Sequence, residues 1–193
     1  MIATLEGILL YRGVDSIIVS VSGIGFQIYV PGSTLSQLGA INDKVFLHTY
    51  LHVKEDSISL YGFASSQELT LFKRFISVSG VGAKIALALL SSLSVEQLAT
   101  AILSGNVDLI DQVPGVGKKI ANRIVIELKG KLEQEGEWVT VSLAQGASDV
   151  IAALTGLGYS LREATQAVSS LPSSSELSLE DKIRMALQQL AAR

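Results

Sequence analysis

Apolar and polar positions alternate in short runs through residues 1–64, and the period then changes. Ile2–Leu10, Ser16–Val21 and Gly25–Val30 are β-branched runs separated by YRGVD and SGIG, both turn compositions. After PGSTLSQLGAIND, the run KVFLHTYLHV alternates strongly. Val45, Leu47, Thr49, Leu51 and Val53 share one face, with Phe46, His48, Tyr50 and His52 on the other. KED turns the chain and SISLYGF returns it. Five short strands with Gly-rich turns predict a small Greek-key barrel of the OB type.

From Ser65 the pattern is helical. Gln67–Ile76, Ala83–Leu93, Val95–Leu103, Val107–Asp111 and Lys118–Lys131 read as helices, several preceded by a Ser or Asn cap. EQEGEWVTVSLAQGA has no period and is polar, which predicts a linker. Beyond it, Ser148–Leu157, Leu161–Leu171 and Ser178–Ala192 predict three short helices, separated by GLGYS and PSSSE. Such a tail is large enough for a small bundle, though a marginally stable one.

Composition narrows the function classes. The 193 residues include no cysteine, so disulfides and thiolate metal sites are excluded. Glu6 interrupts the first apolar run and no basic segment precedes it, which is a strand pattern and not a signal peptide. No apolar run reaches the roughly 20 residues of a membrane helix, so a soluble, cytoplasmic protein is expected. The net charge of −3 argues against a nucleic-acid partner, but its distribution matters more. Residues 65–142 hold eight basic and eight acidic side chains, and Lys118, Lys119 and Arg123 cluster beside a glycine turn. The local field there can be positive although the molecule is acidic.

That turn occurs twice. VSGVGAKIALALLSSL (Val78–Leu93) and VPGVGKKIANRIVIEL (Val113–Leu128) lie 35 residues apart and agree at eight of sixteen positions. Both glycines and the lysine that follows are among the matches. The pattern is helix, tight turn, helix, in duplicate. Glycines two apart allow positive φ and close approach from outside. Unpaired N–H groups at the turn and at the start of the next helix favour an anion, and Lys84 and Lys119 sit on that first helical turn. A triphosphate loop would need wider glycine spacing, a preceding strand and a hydroxyl after the lysine, where Ile120 stands. The alternative is a tight helix connection with no ligand.

The pair resembles a tandem helix-hairpin-helix, a module that grips duplex DNA by its phosphates without reading sequence. Over essentially the whole chain, the order of segments resembles the RuvA family, the Holliday junction-binding subunits of the bacterial branch-migration complex. MIATLEGIL, KEDSISLYGF, LFKRFISVSGVGAKIALALLS, VPGVGKKIANRIVIELK and ALTGLGY carry the likeness. It implies an α+β multidomain chain: an OB-type barrel over 1–64, a tandem helix-hairpin-helix domain over 65–132, a flexible linker over 133–147, and a three-helix bundle of the ubiquitin-associated (UBA) type over 148–193.

Carried over by position, the resemblance makes Gly80, Gly82 and Lys84 the first phosphate clamp, and Gly115, Gly117, Lys118, Lys119 and Arg123 the second. Ala83 stands where the second copy has Lys118, so the first is expected to contribute less charge. Glu55 and Asp56 at the KED turn would otherwise be an ordinary solvated tip. In the family four subunits form a flat square, and such paired acids project at its centre and keep the DNA strands apart. The tail, with Leu154, Leu157, Tyr159 and Leu187, is implied to dock on RuvB, the hexameric ATPase that pumps the DNA. The RuvC resolvase would join the same assembly, and a homotetramer or an octamer of two tetramers would hold the junction. No catalytic residue, cofactor or metal is implied.

Other readings concern single features. Phe46, His48, Tyr50 and His52 form a stripe suited to stacking single-stranded bases, or to barrel packing or subunit contact. His48 and His52 share a strand face without a third metal ligand nearby. Trp138 reads as a packing anchor. A helix-hairpin-helix DNA glycosylase would pair Lys119 with Glu137 or Asp149 and needs a pocket for a flipped base.

Overall fold

The computed structural model describes residues 2–134, 138, 148–169 and 179–191. Strands β1 (Thr4–Arg12), β2 (Ser16–Val21), β3 (Ile24–Tyr29), β4 (Lys44–Val53) and β5 (Ile58–Phe63) close into a barrel in the order β1-β2-β3-β5-β4. β1 pairs with both β2 and β4, and a register shift between Leu9 and Tyr11 bends it to serve both. A parallel contact at Tyr29 and Tyr61 closes the ring between β3 and β5. The alternation seen in the sequence has the predicted sense, with Val45, Leu47 and Thr49 buried. Leu5, Leu9, Ile17, Val19, Ile28 and Leu60 meet them in the core.

One element has no signature in the sequence. Helix α1 (Gly32–Gln37) lies between β3 and β4, inside the PGSTLSQLGAIND segment. Six residues are too few to display a helical period. The helix is held by tertiary contacts instead. Leu35 packs into the barrel core, and Arg12 donates from Nη2 to the Leu35 carbonyl at 2.6 Å.

The barrel meets helix α2 (Ser66–Ile76) through rings and through one buried carboxylate. Phe72 lies 4.9 Å from Phe63, 5.1 Å from Tyr61 and 5.6 Å from Tyr50, measured between ring centroids. Burial among these rings pushes the Tyr61 hydroxyl above the ordinary tyrosine range. Glu68, only 4% exposed, accepts hydrogen bonds from Ser33 Oγ (2.6 Å), Thr34 Oγ1 (2.9 Å) and the Ala64 N–H (3.0 Å). Its own N–H donates to Ser65 Oγ, which caps α2. Helix α1 is thereby tied to α2, and the Gly32 N–H also donates to Ser91 Oγ at 2.8 Å.

Helices α3 (Ala83–Ser92), α4 (Val95–Ser104), α5 (Val107–Asp111) and α6 (Lys118–Gln134) complete the middle of the chain. Ser94 and Gln97 form a capping box on α4, and Asn106 caps α5. Helix α6 runs past the expected end at Lys131, because the Lys-Leu-Glu-Gln sequence at that point favours helix. The chain divides into two compact units, residues 1–129 and 130–193. In the second, α7 (Ser148–Gly156), α8 (Leu161–Ser169) and α9 (Leu179–Ala191) enclose Val150, Ile151, Leu154, Ala164, Val168 and Ala186. Most of the expected linker, and Glu137 with it, lies outside the described residues. Among the described residues no single helix is long and apolar enough to cross a membrane.

The Glu68 network gives a stability prediction. Glu68→Leu strands the Ser33 and Thr34 hydroxyls without their acceptor and should cost about 3 kcal/mol. Glu68→Gln keeps the shape and should cost about 1–2 kcal/mol, because its amide must face donors. Chemical denaturation of the two variants, with hydrogen exchange at the α1 and α2 amides, measures both.

Candidate nucleic-acid interface

The two glycine turns are built alike. In the first, the Val78 N–H donates to Phe75 O and the Val81 N–H to Val78 O, both at 3.0 Å. In the second, Val113 donates to Ile110 O at 3.3 Å and Val116 to Val113 O at 2.9 Å. Gly80 and Gly115 both sit at φ +86°, in the left-handed region where a side chain would be strained. Val78, Val81, Val113 and Val116 are all buried, while the four glycines of the two turns are exposed. The valines pin each turn from inside and leave its backbone bare outside.

Gly82 and Gly117 carry the sharper message. Gly82 has φ −88°, Gly117 is not in the left-handed region, and a Cβ added at either would meet no atom within 4 Å. The fold therefore has no need of glycine at these two places. An empty space over the first N–H groups of α3 and α6 suits close approach by an anion, since those groups have no intrahelical acceptor.

Lys84, Lys118 and Lys119 are exposed beside the turns. Lys118 Nζ lies 3.7 Å from Asp108 Oδ1, and both side chains are mostly in water, so the pair is weak and easily exchanged for another anion. Arg123 is placed differently. Its side chain is half-buried, and Nη1 donates to the Ser79 carbonyl at 2.7 Å, in the other turn. In the barrel, Glu55 and Asp56 are exposed at the β4–β5 tip, beyond the last strand pair Val53 and Ile58. A bond from the Lys54 N–H to Ser57 O (2.8 Å) closes that tip.

Three family descriptions match in the order of these parts: RuvA N terminal domain at residues 1–62, SAM-like helix-hairpin-helix tandem at 72–131, and RuvA C-terminal domain at 145–191. Proteins described as Holliday junction branch migration complex subunit RuvA match end to end. Those of Dehalococcoides mccartyi and Chloroflexus aggregans are 45% identical, over 97% of each chain. The one from Roseiflexus sp. strain RS-1 is 41% identical over the full length of both.

The chain belongs to the RuvA family.

Its RuvA C-terminal region corrects one sequence-based expectation. Leu154 is fully buried in the core of its own bundle and has no surface to offer a partner. Leu157, three residues on, is 62% exposed, while Tyr159 and Leu187 are half-buried against that core. The difference is not legible in the sequence, because a short helix end does not reveal which of two leucines turns inward. In the RuvA N-terminal barrel the aromatic stripe divides. Phe46 stays half-exposed with His48 edge-on at 5.2 Å, whereas Tyr50 turns onto Phe72 and His52 onto Tyr61. Among the described residues no group of three His, Cys, Asp or Glu could hold a metal. Trp138 is buried, as a packing anchor would be.

Gly82→Ala and Gly117→Ala separate a ligand site from a mere connector. The weakened helix-capping preference and the added chain stiffness nearly cancel, so stability should change by less than about 1 kcal/mol. DNA affinity should fall about tenfold or more for the pair, read by gel shift beside a thermal melt. Unchanged affinity would leave the two turns as connectors only.

Proposed function

We propose that this chain binds four-way DNA junctions without reading base sequence, holds them open and square as a homotetramer, and recruits a RuvB-type ATPase that drives branch migration in recombination and repair. The relatives' description as subunits of a Holliday junction branch migration complex supports this reading. The observation that carries it is the duplicated turn whose outer glycines the fold does not itself require. Two such turns, each with a lysine on the following helix, suit phosphates of a duplex arm.

In this reading the barrel and its acidic tip occupy 1–64, the clamps 65–132 and the motor-binding bundle 148–193. Glu55 and Asp56 repel phosphates at the junction centre and direct strands into separate arms. Gly80, Gly82 and Lys84, with Gly115, Gly117, Lys118, Lys119 and Arg123, hold the arms. Leu157 leads the motor contact, with Tyr159 and Leu187 beside it. Two tetramers can enclose one junction, RuvC joins the assembly, and it works in the cytoplasm. The chain performs no chemical step, since the ATP-driven work belongs to the partner.

Lys118→Ala with Lys119→Ala tests the clamps. For every phosphate the altered protein ceases to touch, the slope of log K against log salt should become shallower by about 0.9. A slope equal to that of the unaltered protein would mean that these lysines do not touch the backbone.

Glu55→Gln with Asp56→Asn tests the tip. Affinity for the junction should hold or rise, while preference for junction over plain duplex falls, because repulsion at the centre discriminates between the two. A parallel loss of affinity for both DNAs would reduce the tip to a structural turn. Competition gel shifts with the two substrates give the ratio directly.

A further inference from the structure

We infer that Arg123, although its helix follows the second turn, supplies the second cation of the first phosphate site. This rests on reading the two turns as phosphate clamps. Position by position, the second copy has Lys118 and Arg123 where the first has Ala83 and Ala88. Read from sequence, the first clamp has one basic residue and the second has three. The structure redistributes them, because Arg123 crosses to the other turn and donates from Nη1 to the Ser79 carbonyl at 2.7 Å.

The geometry places the guanidinium at the first turn itself. A Cβ on Gly80 would stand 3.4 Å from Arg123 Nη1, so the cation lies against the residue whose positive φ shapes that turn. A guanidinium has five N–H donors in a fixed fork. Among the described residues one of them is given to Ser79 O, and the others remain for a phosphate oxygen. The bond also covers a carbonyl oxygen whose partial negative charge would otherwise face the same anion. Each turn then has two cations: Lys84 and Arg123 at the first, Lys118 and Lys119 at the second.

Arg123 is thus both a ligand-binding residue of the first site and a brace between the two hairpins. Lysine at this position would keep the charge but not the fork, since its ammonium cannot hold a carbonyl and a phosphate oxygen in one plane.

The test is a pair of double-mutant cycles on junction binding, using the full-length chain across a salt series. Arg123→Ala is combined once with Lys84→Ala and once with Lys119→Ala. The Arg123→Ala/Lys84→Ala loss should be at least threefold smaller than the product of the single losses, because both residues serve one phosphate site. The Arg123→Ala/Lys119→Ala loss should equal the product within twofold. Arg123→Ala should also lower the salt slope, and Arg123→Lys should restore most of the slope without restoring the coupling to Lys84. Coupling to Lys119 instead of Lys84, or no coupling to either, overturns the assignment. An unaltered salt slope for Arg123→Ala overturns it as well, leaving a brace that touches no phosphate. Unaltered slopes for Lys84→Ala and Lys119→Ala would sink the clamp reading itself, which is a separate result.

Discussion

A single buried carboxylate ties together parts that are distant in sequence. Glu68 gathers two hydroxyls from α1 and a backbone N–H just past β5, at the first turn of the helix that leads to the first glycine turn. A buried polar group of this kind is costly to strip of water unless its hydrogen bonds are made. Its partners are thereby fixed in direction as well as in distance. The rings around Phe72 provide the apolar half of the same joint, where surface area supplies most of the attraction and the carboxylate supplies most of the geometry.

This joint connects the two kinds of charge in the first unit. Strand β4 presses Tyr50 on α2 and then continues to the acidic tip, while α2 leads directly into the first glycine turn. The exposed carboxylates of the tip and the basic residues of the first turn are therefore referenced to one helix. In the proposed function, strands held apart at one point and arms gripped at another need those points in constant relation, and packing through α2 supports it.

Much of this is legible in the chain. β2 and β4 have the predicted bounds because alternation over a half-buried strand is a strong signal, and the turns are legible because duplication makes their common parts visible. β1 lies two residues later than its apolar run, since the bulge beside Leu9 lets Tyr11 and Arg12 stay paired. What stays hidden depends on tertiary contact. Helix α1 has no period of its own, the role of Glu68 needs partners 34 and 35 residues away, and Arg123 reaches a carbonyl 44 positions back. The inward turn of Leu154 against the outward turn of Leu157 belongs to the same class.

The bare glycine turns have one more consequence. With valines inside and open space over Gly82 and Gly117, the part of each turn that lies between its basic residues is made of peptide groups, which every residue but proline possesses alike. That backbone part has no atom that a substitution other than proline could delete. Short of proline, that backbone part is spoiled by addition, when a new side chain occupies the space over Gly82 or Gly117. Damage at Gly82 or Gly117 therefore begins as obstruction that grows with the volume introduced, and an acidic side chain there would add repulsion of the same anion.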